Sequence, residues 1–323
     1  MTPLISVIIP TYNYANYIVE AITSVLNQNY PTDKIEIIVV DDGSTDNTEE
    51  TLKPFVDEGR IVFYSQQNQG KASATYFGIQ NCTGEYIFNL DADDYFLPNK
   101  IIDTVKVFEN DNGIVHVASP AKILFDDTKA VTEYEKLPNA ITGKALDGDW
   151  LLNYFYENNI LYGGGSTYAA RASTLKKIEI PADVDMFIDE FLILAILPYG
   201  KSFFIEHALS VWRNHTANYS SLAQDDEKSL LKKYRLVKSS NAILNYLERN
   251  NFDKKLTKIY RLKDLNISIF FKESKGDKKL SDIFNYLWKI INLRPNFSLI
   301  KKYHVVNRLI PLSLARILKK NFI

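Results

Sequence analysis

Residues 84–94 read Gly84-Glu85-Tyr86-Ile87-Phe88-Asn89-Leu90-Asp91-Ala92-Asp93-Asp94, a short apolar run that stops on a cluster of carboxylates. Tyr86–Leu90 is continuous rather than alternating, the pattern of a strand buried on both faces. Three runs of the same kind precede it: Leu4–Pro10, Ile35–Val40 and Ile61–Tyr64. Helical patterns lie between them. In Tyr17–Gln28, residues Ile18, Ala21, Ile22 and Val25 share one face. A second helix is predicted from about Gly70 to Asn81. A third follows Pro98, which suits a first helical position, and carries Ile101, Ile102, Val105 and Phe108. Strand–helix–strand repetition predicts an α/β fold with a Rossmann-like, doubly wound, mostly parallel sheet.

The second half is more mixed. It holds strand candidates at Ile114–Ala118 and Lys201–Ile205, a helix around Asp149–Glu157, and a glycine run at Gly163–Gly165. A helix from about Phe187 to Leu197 is apolar on nearly every side and should be buried. Beyond Asn218 the sequence turns helical and polar, with Leu230, Tyr234, Val237, Asn241 and Leu244 in one stripe. The expected organisation is an α/β domain over residues 1–220 and a helical C-terminal region over residues 221–323. That region is basic from about Lys254: it carries 17 Lys and Arg against 4 Asp and Glu, although the whole chain has 38 against 39.

Composition excludes several classes. Hydrophobic residues make up 46% of the chain, too many for a disordered or fibrous protein. A single cysteine, Cys82, rules out an intramolecular disulfide and a multi-cysteine metal site. No apolar run approaches the roughly 18 residues that span a bilayer, and no Lys or Arg precedes Leu4–Pro10 as a targeting signal would require. The expected location is the cytoplasm.

Ligands of parallel α/β sheets bind at the carboxyl ends of the strands. Those ends here carry Pro10-Thr11-Tyr12-Asn13, then Asp41-Asp42-Gly43-Ser44-Thr45-Asp46, then Asn68-Gln69-Gly70-Lys71, then Asp91-Ala92-Asp93-Asp94. Carboxylates crowded after an apolar strand repel one another unless a cation joins them. A hard divalent ion, Mg²⁺ or Mn²⁺, takes oxygen ligands and keeps substrate phosphates in its shell. Taken alone, the cluster could equally be an acidic turn capping the next helix. Asp41 could accept a hydrogen bond from a nucleotide base, with Tyr12 against the same base, or the segment could be a simple turn.

These motifs, in this order, resemble the family-2 inverting glycosyltransferases of the A-type fold. The resemblance rests on Pro10–Asn13, Tyr17-Ile18, Ser24–Gln28, Val40–Thr48, Asn68–Gly70 and Leu90–Asp94, and it covers about residues 4–220. It implies a nucleotide-sugar donor, often UDP-linked, a divalent metal, and inversion at the anomeric carbon. By the same resemblance Tyr12 and Asp41 contact the donor base, and Pro10 and Asn13 belong to the donor-binding set. Asp91 contacts ribose or sugar, Asp93 holds the metal with Asp94 beside it, and Lys71 lies near the donor. The helix after Lys71 reads Ala74-Thr75-Tyr76-Phe77-Gly78, without the arginine the family usually carries there.

Inverting transfer needs a carboxylate to deprotonate the acceptor hydroxyl. The family places an acidic pair at the start of a buried helix, after a glycine-rich segment. Here Gly163-Gly164-Gly165-Ser166 and Ala170-Arg171 precede Asp189-Glu190, in the order opposite to the family's Glu-Asp. Glu190 matches the base by position, and Asp189 is its rival. Trp212-Arg213-Asn214-His215 resembles the region near the diphosphate, so Arg213 would neutralise the leaving group and His215 would ligate the metal or bond a phosphate.

The basic tail lies outside the resemblance. Leu309, Ile310, Leu312, Leu314, Ile317, Leu318 and Phe322 with Lys301, Lys302, Arg308, Arg316, Lys319 and Lys320 suit a peripheral contact with the anionic inner face of a membrane. A solvated helical appendage fits the same pattern, and no nucleic-acid module accompanies the charge. The expected acceptor is a hydroxyl on a glycan or lipid-linked sugar, as in cell-surface polysaccharide or glycoconjugate synthesis. The alternatives are a nucleotidyltransferase, which would want a glycine-rich phosphate loop after the first strand, and a non-catalytic nucleotide-sugar-binding module.

Overall fold

The computed structural model describes residues 1–133, 136–158, 160–215 and 226–295. In chain order the elements are β1 (Ile5–Thr11), α1 (Ile18–Leu26), β2 (Ile35–Asp41), α2 (Thr48–Asp57), β3 (Val62–Ser65), α3 (Lys71–Asn81), β4 (Tyr86–Asn89), β5 (Tyr95–Phe96) and α4 (Lys100–Asn110). There follow β6 (Ile114–Ala118), β7 (Ala121–Phe125), β8 (Val131–Glu133), β9 (Ala145–Asp147), α5 (Gly148–Asn158), β10 (Tyr168–Arg171), α6 (Ala172–Leu175), α7 (Ile188–Ile196), β11 (Lys201–Phe204) and β12 (Ser210–Asn214). The last described elements are α8 (Asp226–Arg249), α9 (Lys254–Lys275) and α10 (Leu280–Leu293). By internal contacts the chain divides into two units. One comprises Met1–Leu151, Tyr162–Ala182 and Ile188–Ser221; the other comprises Leu152–Leu161, Asp183–Phe187 and Leu222–Ile323.

The first unit is built on an eight-stranded sheet, ordered β3-β2-β1-β4-β10-β6-β11-β9. Parallel pairing joins β3 to β2, β2 to β1, β1 to β4 and β6 to β11. The mostly parallel α/β sheet expected from the sequence is therefore present. The central apolar runs form it because both their faces are covered: every residue of β1 is buried, and Ile18, Ala21, Ile22 and Val25 of α1 are fully buried against the same core, whereas β3 at the sheet edge is only partly covered. On α3, Gly78 allows close approach: a Cβ there would lie 2.5 Å from the Ile8 side chain of β1.

Three features depart from the sequence reading. Strand β10 runs antiparallel between β4 and β6. A second, four-stranded sheet, β5-β12-β7-β8, was not expected. Pro98 does not open α4, which begins at Lys100 with Asn99 as its cap. Residues 95–96 form β5 instead, Leu97 donates its amide to Leu209 O, and the Pro98 carbonyl accepts from Asn29 N at 2.9 Å.

Lys100 is fully buried, with Nζ 2.5 Å from Thr167 O and 3.3 Å from Ser119 Oγ. Burial pushes its ammonium down from 10.5 to about 7. Between those values the unfolded lysine holds a proton that the folded one has shed, so raising the pH favours the folded state. Below pH 7 both forms are protonated and the burial cost is constant. We expect Lys100→Met to gain stability on the wild type most near neutral pH, with the gap narrowing as the pH rises toward about 10. Loss of the Thr167 bond adds an offset that does not vary with pH. Denaturant midpoints across that range are the check; parallel curves would rule out a buried titrating ammonium.

In the second unit, α9 is capped by Asp253, whose carboxylate accepts from Lys255 N and Leu256 N, and it stops at Gly276, a left-handed position at φ +77°. Arg235 pairs with Asp185 and Lys238 with Asp183, which tie α8 to the 183–187 segment. Among the described residues no helix is long and apolar enough to cross a membrane. The Asn218 boundary and the apolar and basic pattern over residues 301–322 lie outside the described residues.

Candidate active site

Parallel pairing brings the ends of β1 and β2 out together, with Thr11 opposite Asp41. The loops beyond them are stitched to one another. Asn13 sits in the left-handed region at φ +59°, donates its amide to Ser44 Oγ, and accepts Thr45 N on its side-chain oxygen at 2.7 Å. Pro10 is buried within β1, whereas Tyr12 beside it is 44% exposed. Asp41 is buried and accepts the Ser44 amide at 3.2 Å and its hydroxyl. Asp42, to which the sequence reading assigned no role, accepts Gln66 Nε2 at 2.7 Å, Gln69 N at 2.9 Å and Gly70 N at 2.7 Å. It thereby fixes the turn from which α3 starts. The doubled Asp41-Asp42 at the end of β2 is its signal in the sequence.

That turn delivers Lys71. Its Nζ lies 2.8 Å from Asp91 Oδ1 and 3.3 Å from Asp189 Oδ2, so it bridges the strand-end cluster and the start of α7. Burial alone would lower the Lys71 ammonium, but Asp189 and Asp91 outweigh it and hold the group charged well above the usual lysine range.

Asp91, Asp93 and Asp94 each offer an oxygen within 4.8 Å of the others. Their surroundings differ. Asp94 accepts Ser166 Oγ at 2.5 Å and the Arg213 amide at 2.9 Å, both buried. Asp93 faces His215, whose Nε2 lies 3.1 Å from Asp93 Oδ2, and the Tyr14 hydroxyl is hydrogen-bonded to it as well. Asp91 receives Lys71, and its amide donates to Ser166 Oγ at 3.0 Å. Burial first, then the neighbouring carboxylates, raises Asp93 above the ordinary aspartate range, and the same causes raise Asp94 well above it. Such a cluster gains from a cation. All three groups are hard oxygen donors, the set that Mg²⁺ and Mn²⁺ prefer. The donor set therefore fits a divalent metal.

The remaining sequence candidates separate. Asp189 joins the cluster through Lys71; burial raises its carboxyl, and Lys71 opposes that. Glu190, one residue on, is buried at 7% exposure. Arg213 is buried, with Nε 3.0 Å from Asp93 O, one Nη 3.0 Å from Asp126 and the other on Glu20. Its guanidinium also lies over the Tyr17 ring, 5.2 Å from the centroid, and Tyr17 stacks on His215 at 4.6 Å. To reach a diphosphate Arg213 would have to leave Asp126 or Glu20. The Gly163–Ser166 segment is held by His116, which contacts Gly163 O at 3.0 Å, and by the Ser166 bonds to Asp91 and Asp94.

The doubly wound sheet with a carboxylate cluster at its strand ends matches the glycosyltransferase A-type fold. The model of Glycosyl transferase family 2 matches residues 6–171, and the chain belongs to that family. An uncharacterized glycosyltransferase of Nostoc sp. is 31% identical over 248 residues, which cover 75% of this chain and 74% of that one. Two Rickettsia relatives, from R. bellii and R. typhi, match over 119 and 118 residues, so the chain spans only 17% and 36% of their lengths. Among solved structures, S. aureus TarS 1-349 in complex with UDP-GlcNAc has a TM-score of 0.56 at 17% identity, covering 93% of this chain and 89% of that one. A mannosyltransferase of Pyrobaculum calidifontis in complex with GDP-Man and Mn²⁺ has a TM-score of 0.55 at 18% identity, covering 99% of this chain and 79% of that one. Membership of a glycosyl transferase family argues against the nucleotidyltransferase alternative.

Proposed function

We propose that the protein is an inverting transferase that moves a sugar from a nucleoside-diphosphate donor, a UDP-sugar foremost, to a hydroxyl of a glycan or lipid-linked sugar. The transferase chemistry is placed in residues 1–220, and residues 221–323 serve to locate it, including contact with an anionic membrane surface. Such an enzyme would act in cell-surface polysaccharide or glycoconjugate synthesis at the cytoplasmic face. The UDP-GlcNAc and GDP-Man named for structures of the same fold support a nucleotide-sugar donor, and the Mn²⁺ named for one of them supports a metal.

The observation that carries this reading is the Lys71 bridge between Asp91 and Asp189. It sets a carboxylate of α7 beside the strand-end cluster without crowding two unbalanced charges. Asp93 and Asp91 would hold the metal, with His215 and Tyr14 orienting Asp93. Bound there, Mg²⁺ or Mn²⁺ would neutralise the departing diphosphate. Asp94, taken up by Ser166 and the Arg213 amide, positions the loop rather than ligating. Arg213 acts through Asp94 and the Asp93 carbonyl. Exposed Tyr12 lies against the base, Asp41 at its edge, and Asn13 and Pro10 shape that pocket. Asp189 takes the proton from the acceptor hydroxyl as its oxygen attacks the anomeric carbon and the bond to the diphosphate breaks. Glu190 supports α7 from inside.

Hydrolysis of UDP- and GDP-linked sugars, each with Mn²⁺ and with EDTA, tests the donor class and the metal together. We expect turnover that needs the metal and favours UDP. Equal turnover in EDTA would remove the metal from the reading, and preference for GDP would reassign the donor.

A further inference from the structure

Helix α10 presents three sectors. Tyr286, Ile290 and Leu293 are buried in its own unit. Ser281, Asn285, Lys289 and Asn292 form a polar edge. Between them lies a stripe that nothing covers among the described residues: Leu280 is 65% exposed, Phe284 68%, Trp288 65% and Ile291 60%, with Leu287 at 36%. Spacings of three and four residues place these five side chains on one face. Single exposed apolar residues are ordinary, but five in one helical stripe, including Phe and Trp, mark an interaction surface.

The charge around the stripe selects the partner. Lys279 precedes it and Arg294 follows it, both exposed, while Lys289 lies at the far side of the polar edge, toward Asp264. The one acidic residue of the helix, Asp282, is neutralised by Lys272 at 2.5 Å. The chain beyond residue 295 carries Lys301, Lys302, Arg308, Arg316, Lys319 and Lys320 and no acidic residue. Folding that basic segment back onto a basic face, or mating the face with a second copy, would set like charges together. An anionic surface with an apolar interior satisfies both the stripe and its cations.

We propose that the outer face of α10 seats on an anionic lipid bilayer, with Phe284 and Trp288 entering the headgroup–acyl boundary and Lys279 and Arg294, at the two ends of the stripe, on the lipid phosphates. This pattern of aromatic and aliphatic residues beside cations is that of a helix lying in the interface plane. The inference rests on the membrane contact proposed above for the C-terminal region, and it locates that contact on α10 rather than on residues 309–322. It does not depend on the donor, the metal or the base.

The full chain is mixed with vesicles of phosphatidylcholine plus phosphatidylglycerol, and with phosphatidylcholine alone. We expect co-sedimentation with the anionic vesicles that weakens as salt rises. Phe284→Ser with Trp288→Ser should weaken it by about tenfold or more, with thermal midpoint and donor hydrolysis unchanged because both side chains are exposed. Leu314→Ser with Ile317→Ser and Leu318→Ser should retain most of it. Brominated lipid should quench wild-type fluorescence, and Trp288→Phe should bind yet lose most of the quenching, since only 3 tryptophans are present. If the tail variant loses binding and the α10 variant keeps it, the membrane reading stands and the α10 assignment falls. If the wild type binds no vesicle, both fall. If the wild type is a dimer that the α10 variant splits, and neither binds lipid, the face is a contact between copies and the proposal is overturned. Donor hydrolysis in each variant reports separately on the transferase reading.

Discussion

Asp93→Ala should lower glycosyl transfer by about 10²–10³-fold, because on the proposed reading it removes the carboxylate that would hold a divalent ion against the diphosphate. Asp93 stands at a strand end, buried, between His215 Nε2 at 3.1 Å and Tyr14, and both partners orient it. Its carboxyl is held above the ordinary range chiefly by burial and then by Asp91, so the apo cluster is electrostatically costly and a cation relieves it. Folding should survive the substitution, since the alanine removes a charge from a crowded acidic group. His215→Ala should be milder, about 10–100-fold in metal affinity, if the histidine orients the ligand rather than coordinating. Transfer measured across a Mn²⁺ titration separates these cases. An Asp93→Ala enzyme that keeps full activity, or a wild type indifferent to EDTA, would end the metal hypothesis.

The second large effect concerns proton removal from the acceptor. Asp189→Asn should cost about 10²–10⁴-fold in transfer while donor affinity stays within a few-fold, because in the proposed mechanism the carboxylate acts on the acceptor and not on the nucleotide. Asn keeps the size of the side chain but cannot take the proton. On the same reading Glu190→Gln acts mainly on stability, about 0.5–3 kcal/mol, since Glu190 is buried and it is Asp189 that meets Lys71. Transfer rates, donor binding and thermal midpoints for both variants are the check. A dead Glu190→Gln enzyme with normal donor affinity, beside an active Asp189→Asn, would return the base role to Glu190.

The strand runs were legible because parallel strands covered on both faces must be continuously apolar, and Ile5–Thr11, Ile35–Asp41 and Tyr86–Asn89 fall within a residue or so of the expected bounds, as does the partly exposed edge strand Val62–Ser65. Helices α1, α3 and α7 were legible from their buried faces in the same way. That the polar residues after these strands meet at one edge followed from parallel pairing alone. The antiparallel β10 was not legible: Tyr168-Ala169-Ala170-Arg171 is too short for a period, and its direction is set by β4 and β6 on either side.

Within the site, the sequence by itself determined which residue types gather at the strand ends and that their charge calls for a cation. Only the tertiary structure decided which neighbour each one meets. Asp189 and Glu190 are adjacent in sequence but about 100° apart around a helix, so only the packing of α7 shows which of them faces Lys71. The sequence offered Arg213 as a partner for the diphosphate, and the fold places it on Asp126, Glu20 and the Asp93 carbonyl. It left Asp42 without a role, and three hydrogen bonds from residues 66–70 supply one. For α10 the period was visible in the sequence, but which apolar stripe is buried and which faces outward depends on the side that packs in its unit. Local pattern follows from side-chain chemistry along one segment, whereas partners far apart in sequence are chosen by the geometry of the whole sheet and the helices laid on it.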